Sequence, residues 1–241
     1  MFAPLVVEFR KLNRSLALWL AVAGPGLIAV FTFFNMLRGT APAPWDMWMG
    51  GATAIWAFFM LPMSVTALTA LVAHMEHGPR SWDHLRALPL PRWRLYAAKA
   101  VSVLTIVALM SAGVLLFTWA AVTLAGLIKP SVAPSGPFDA AGYAATLGRM
   151  YLAVLLLVAI QLWTALRFAS FVPALAVGIG GTFFAVVATS ARIGVFLPSQ
   201  MPVNMLASEP WRVHTALTLG GLGGLVAFAM LLAHLSRREV L

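Results

Sequence analysis

AAKAVSVLTIVALMSAGVLLFTWAAVTLAGLI, residues 97–128, holds a single charged side chain, Lys99. About 20 predominantly apolar residues cross a bilayer as a helix, so this stretch can span, tilt and project beyond the lipid. Five further stretches meet the same criterion: 16–37, 51–73, 148–166, 170–190 and 213–235. The whole chain is 61% hydrophobic and 10% charged, with a mean hydropathy of +0.91. A soluble domain is about 45–50% apolar and about 25% charged. The composition therefore predicts an all-α integral membrane protein with six transmembrane helices. Spans four and five are separated only by residues 167–169, which requires a tight helical hairpin. Ser170 is placed to cap the fifth helix, with Pro173 in its first turn.

The 16 Lys and Arg residues set the orientation. With the N-terminus inside, the cytoplasmic side carries Arg10, Lys11, Arg14, Arg80, Arg86, Arg92, Arg94, Lys99, Arg167, Arg237 and Arg238. The outer side keeps Arg38, Lys129, Arg149, Arg192 and Arg212. The positive-inside rule then places both termini in the cytoplasm. The charges of MFAPLVVEFRKLNR follow a short apolar patch, the reverse of a cleavable signal peptide, so the N-terminus is expected to be mature. Leu5, Phe9, Leu12 and Leu16 recur at helical spacing, with Glu8, Lys11 and Ser15 on the other side. Residues 4–16 are read as an amphipathic interfacial helix, the alternative being an extension of the first span. The outer loops are short and proline-rich. The last, 191–212, has two apolar pieces broken by Pro198 and Pro202, each too short to span and suited to entering the bilayer and returning. Gly220 and Gly224 form a GxxxG that permits close helix packing, within the chain or against a second copy.

Much chemistry is missing. A P-loop needs Lys after glycine in a glycine-rich turn, and none of the three lysines, Lys11, Lys99 and Lys129, follows a glycine. Absence of cysteine excludes disulfides and thiolate sites. The seven acidic residues are dispersed at segment ends, so no catalytic residue is assigned. The middles of the spans lack the ionisable groups that proton- or ion-coupled transport requires. His74 and His77 flank Glu76 at the membrane edge and are read as interface-solvated, so no metal is assigned. The basic residues lie at span ends, and the net charge of +9 points to the membrane surface rather than to nucleic acid.

One polar segment, 78–92, interrupts this pattern between spans two and three. Pro79 precedes Ser81, a good N-cap, and Asp83 sits in the first turn, where its charge suits the helix dipole. Trp82, Leu85 and Leu88 line one face, while Arg80, His84 and Arg86 point elsewhere. Pro89 stops the helix and Pro91 starts the next. The segment encodes a separate two-turn helix that either lies on headgroups or docks into another protein.

This stretch resembles the cytoplasmic loop of type-2 ABC exporter permeases and is most similar to the small permeases of lantibiotic-immunity transporters. Those carry an acidic residue ending the second span, a Trp-x-x-Leu helix, Leu-Pro-x-x-Arg, then Tyr and Lys leading into the third. The matching residues are Glu76, Trp82, Leu85, Leu88, Pro89, Arg92, Tyr96 and Lys99. The resemblance implies a multi-pass permease of the bacterial inner membrane that pairs with a second permease copy or paralogue and with two ATPase subunits. ATP and Mg would sit on those subunits, with no cofactor in this chain. The loop helix would be the coupling helix: Trp82, Leu85 and Leu88 in the ATPase groove, with Arg80, Asp83, Arg86 and Arg92 around them. Glu76 is expected to pair with Arg10 or Arg14, tying the loop to the N-terminal helix. The residues leave two rivals: an enzyme holding a lipid or isoprenoid phosphate on Arg80, Arg86, Arg92 and Arg94, and a scaffold subunit.

Overall fold

Apolar length dictates the architecture. In the computed structural model, residues 2–13, 15–77 and 91–237 are described, and among these the secondary structure is helical, with no strand beyond one isolated bridge, Pro44 to Ser135. Helix α1, Phe2–Leu12, precedes α2, Leu16–Arg38. Then follow α3, Trp45–His77, and α4, Arg92–Ile128. The next pair is α5, Ala140–Ala153, and α6, Leu155–Arg167. Helices α7, Val172–Val187, and α8, Pro210–Arg237, complete the bundle.

Four of these, α2, α3, α4 and α8, are long and apolar enough to cross a membrane. The fourth expected span is two helices, α5 and α6, bent by 42° about Val154, and counts as a fifth if taken as one crossing. The fifth expected span, α7, has 16 residues. At 1.5 Å per residue it covers about 24 Å, short of a hydrocarbon core of about 30 Å. Ser170 meets its expected role in part, since its hydroxyl accepts the Val172 N–H at 3.2 Å.

Helix α4 is the central strut. Helices α1, α2, α3, α5 and α8 all pack on it. Small residues decide how closely. A Cβ on Gly113 of α4 would lie 3.2 Å from the Pro25 ring of α2, and one on Gly24 would lie 3.3 Å from Ser64 Oγ of α3. Pro25 therefore sits inside a continuous α2. Pro62 is accommodated differently. It lacks an N–H, and its ring displaces the carbonyl one turn back. Just before it α3 widens into a π segment, Trp56–Met60, in which the Leu61 N–H reaches Trp56 O. A second π segment, Thr218–Leu222, interrupts α8.

The remaining joints are closed by polar groups. Lys129, at the end of α4, donates to Leu37 O at 3.1 Å and Gly39 O at 2.8 Å, satisfying carbonyls that the end of α2 leaves open. Between α7 and α8 run the 3₁₀ turns Arg192–Phe196, Pro198–Gln200 and Val203–Leu206, with Val195, Met201 and Asn204 buried. Buried Gln161 of α6, with its amide nitrogen toward α7, donates to Ala174 O at 3.1 Å and accepts from Gly178 N at 3.0 Å.

Candidate functional site: a buried four-charge cluster

Glu8 and Lys11 lie three residues apart on α1 and so share a face. Glu76 is in the last turn of α3, and Lys99 is two turns into α4. All four meet where these helices converge. Lys99 Nζ donates to Glu8 Oε1 at 3.1 Å, Glu8 Oε2 at 3.0 Å and Glu76 Oε1 at 2.8 Å, so all three ammonium protons are used. Lys11 Nζ donates to Glu76 Oε1 at 2.6 Å and reaches Glu8 Oε1 at 3.5 Å. Side-chain exposure is 1% for Lys99 and Glu76, 7% for Glu8 and 31% for Lys11. The cluster is therefore a closed inner core of three charges with Lys11 as its lid toward solvent.

Two ammonium and two carboxylate groups cancel. This matters because an isolated buried ion costs several kcal/mol, which only well-placed partners offset. Burial works against the charged form of Lys11. The hydrogen bond and charge of Glu76, with the charge of Glu8, outweigh it and hold the Lys11 ammonium above the ordinary lysine value of 10.5.

The cluster corrects two expectations. Glu76 pairs with Lys11 and Lys99 and not with Arg10, which is on the opposite, exposed side of α1; Arg14 lies outside the described residues. The polar side of α1 faces the protein, whereas Val6, Val7 and Phe9 are exposed. Leu16 belongs to α2, whose first turn is capped by Ser15 accepting the Ala17 N–H. The reason is charge: with Lys99 and Glu76 waiting inside, the favourable place for Glu8 is against the bundle.

Of the predicted docking residues, Arg80, Trp82, Asp83, Leu85, Arg86, Leu88 and Pro89 lie outside the described residues. Arg92 is exposed at the start of α4. The two helices that flank this segment, α3 and α4, are joined to each other and to α1 by the cluster. Gly220 and Gly224 sit against the α5–α6 bend of the same chain. A Cβ on Gly220 would fall 2.1 Å from Ala153 O, and one on Gly224 would fall 2.6 Å from Leu155 Cβ. Sequence reasoning missed Glu8, Lys11 and the burial of Lys99. A signal was present: two of only three lysines, Lys11 and Lys99, and the glutamates Glu8 and Glu76 all fall at apolar-segment ends that the charge count places on one side of the membrane.

Residues 5–188, about three quarters of the chain, match the family described as ABC-2 family transporter protein. The chain belongs to the ABC-2 transporter family. It is a multi-pass membrane protein and a permease component of an ABC transporter, a class that works with ATP-binding cassette subunits. No curated protein and no solved structure matches it. The match covers all four charged residues of the cluster and, in this ABC-2 permease, stops just beyond α7, before α8.

Proposed function

We propose that this chain is the membrane subunit of an ATP-driven exporter in the bacterial inner membrane. It pairs with a second permease copy or paralogue and takes its energy from two separate ATPase subunits that hold ATP and Mg. Its substrate is hydrophobic or amphipathic: a peptide, a lipid or a drug-like compound. In this reading α7 completes a sixth passage together with the 3₁₀ turn that follows it, and both termini are cytoplasmic. The end of the bundle carrying α1 then faces the ATPase.

The observation that carries the proposal is the charge cluster at the roots of segment 78–90. A two-turn helix there, seated in an ATPase groove by Trp82, Leu85 and Leu88, would have α3 and α4 as its two stems. Glu76 and Lys99 lock those stems together, and Glu8 and Lys11 lock both to α1. A push on the loop would thus move three helices as one body, instead of being lost at a loose joint.

The test is to purify the exporter with its ATPase and compare the wild type with Trp82→Ala/Leu85→Glu. Interface anchors cost about 2 kcal/mol or more when truncated. ATPase retention on the membrane subunit should fall at least tenfold, and substrate-stimulated hydrolysis should be lost while the chain stays folded. Normal transport and normal ATPase binding by the double variant would refute docking through this segment.

A further inference from the structure

We propose that the groove behind α1 is a binding site for an anionic glycerophospholipid, with one acyl chain in the groove and its phosphate on Arg10. A cavity of about 470 Å³ lies between α1, α2 and α4. Its wall is apolar, formed by Phe9, Leu18, Ala21, Ile106 and Leu109, and Arg10 and Asn13 stand on its lining as the polar end. Among the described residues no carboxylate lies within ion-pair distance of Arg10.

Charge complementarity selects the occupant. A second copy of this chain would have to offer Arg10 a carboxylate. Of the described acidic residues, Glu8 and Glu76 are consumed by Lys99 and Lys11. Asp46, Asp139 and Glu209 lie at the opposite end of the bundle. A lipid supplies what the protein lacks: an apolar tail for Leu18, Ile106 and Leu109, and an anionic head at the depth of an interfacial helix.

The placement gives the lipid a mechanical role. Val6, Phe9, Arg10 and Asn13 occupy one side of α1, and Glu8 and Lys11 the other. A lipid on the first side fills the groove that the outer face of α1 forms with α2 and α4 and backs the contact of Glu8 with Lys99 from the membrane side. This role extends the coupling reading above, but the binding itself does not depend on it.

The experiment uses the purified full-length chain, delipidated in detergent and titrated with phosphatidylglycerol or phosphatidylcholine, with bound lipids counted by native mass spectrometry. The wild type should hold one phosphatidylglycerol about fivefold more tightly than phosphatidylcholine, the effect of one basic residue near an anionic headgroup. Arg10→Gln, at an exposed position, should erase the preference. Leu109→Trp, which fills the groove, should lower occupancy by both lipids. Equal affinities in the wild type, or a preference that survives Arg10→Gln, would overturn the proposal. So would disulfide-linked dimers from Leu109→Cys in membranes, since the chain has no native cysteine and such a link would put a second copy over the groove.

Discussion

Lys99→Met removes the ammonium that three carboxylate contacts converge on, at 2.8, 3.0 and 3.1 Å. Glu8 and Glu76 are left facing each other with only the half-exposed Lys11 between them. Breaking a buried pair by removing one partner costs about 3–5 kcal/mol, and Lys99 and Glu76 are each 1% exposed, so the upper half of that range applies. Lys11→Met should cost less than Lys99→Met, because its ammonium is 31% exposed and partly screened by solvent and Lys99 still neutralises one of the two carboxylates. The decisive measurement is a double-mutant cycle. Lys99→Met, Glu76→Gln and the double variant would be unfolded reversibly in mixed micelles, followed by tryptophan fluorescence. Glu76→Gln relieves the excess negative charge that Lys99→Met creates. The double variant should therefore be more stable than the sum of the single effects by about 1–3 kcal/mol. Additive costs, or a Lys99→Met variant no weaker than Lys11→Met, would refute the claim that the four residues act as one buried electrostatic unit.

Other expectations follow from the same geometry. The folded-state pKa of Lys11 is raised, so its stabilising contribution is fully present below the ordinary value of 10.5 and is lost as pH rises through the raised value; the stability gap between wild type and Lys11→Met, measured by thermal unfolding, should close only at strongly alkaline pH. A Cβ on Gly178 would fall 2.1 Å from Thr66 Oγ1, whereas one on Gly223 meets nothing within 4 Å. Gly178→Ala should therefore destabilise by about 1–3 kcal/mol through overpacking, and Gly223→Ala should be neutral or stabilising in the same unfolding assay. Lys129→Met opens the carbonyls of Leu37 and Gly39 at the end of α2 and should cost about 1–3 kcal/mol, the range of charge-assisted hydrogen bonds. A smaller loss for Lys129→Arg would fit this clasp, and no loss for Lys129→Met would exclude it.

The apolar runs made α2, α3, α4 and α8 legible, because a bilayer-length stretch with few charges has few other stable forms. Their ends were less so. Trp45–His77 and Arg92–Ile128 run beyond their apolar cores, because polar residues such as Glu76 and Lys99 continue a helix when they find partners at its end. The bend at Val154 left no proline or glycine to announce it. It is held from outside, by Gly220 and Gly224 of α8 packing against its backbone, a tertiary cause that no local pattern carries. Glu76 is legible as a tether to the N-terminal helix, but its partners there and on α4 are Lys11 and Lys99 and not Arg10. Arginines beside the membrane attracted the assignment, whereas helical phase decides: Glu8 and Lys11 share the face that meets α4, and Arg10 is turned away.

Neutrality of the cluster has a consequence for energetics across the membrane. A lone charge carried through the full transmembrane field does work of about 2.3 kcal/mol per 100 mV. Two lysines and two glutamates travelling together present no net charge to that field. If α1, α3 and α4 shift as one body, the cluster itself contributes no net charge movement to the stroke, and the arginines of α1 and α4, unpaired among the described residues, would still couple to the field. Depolarisation would therefore leave the cluster's own charges indifferent, and any voltage sensitivity of this end of the protein would have to originate outside it.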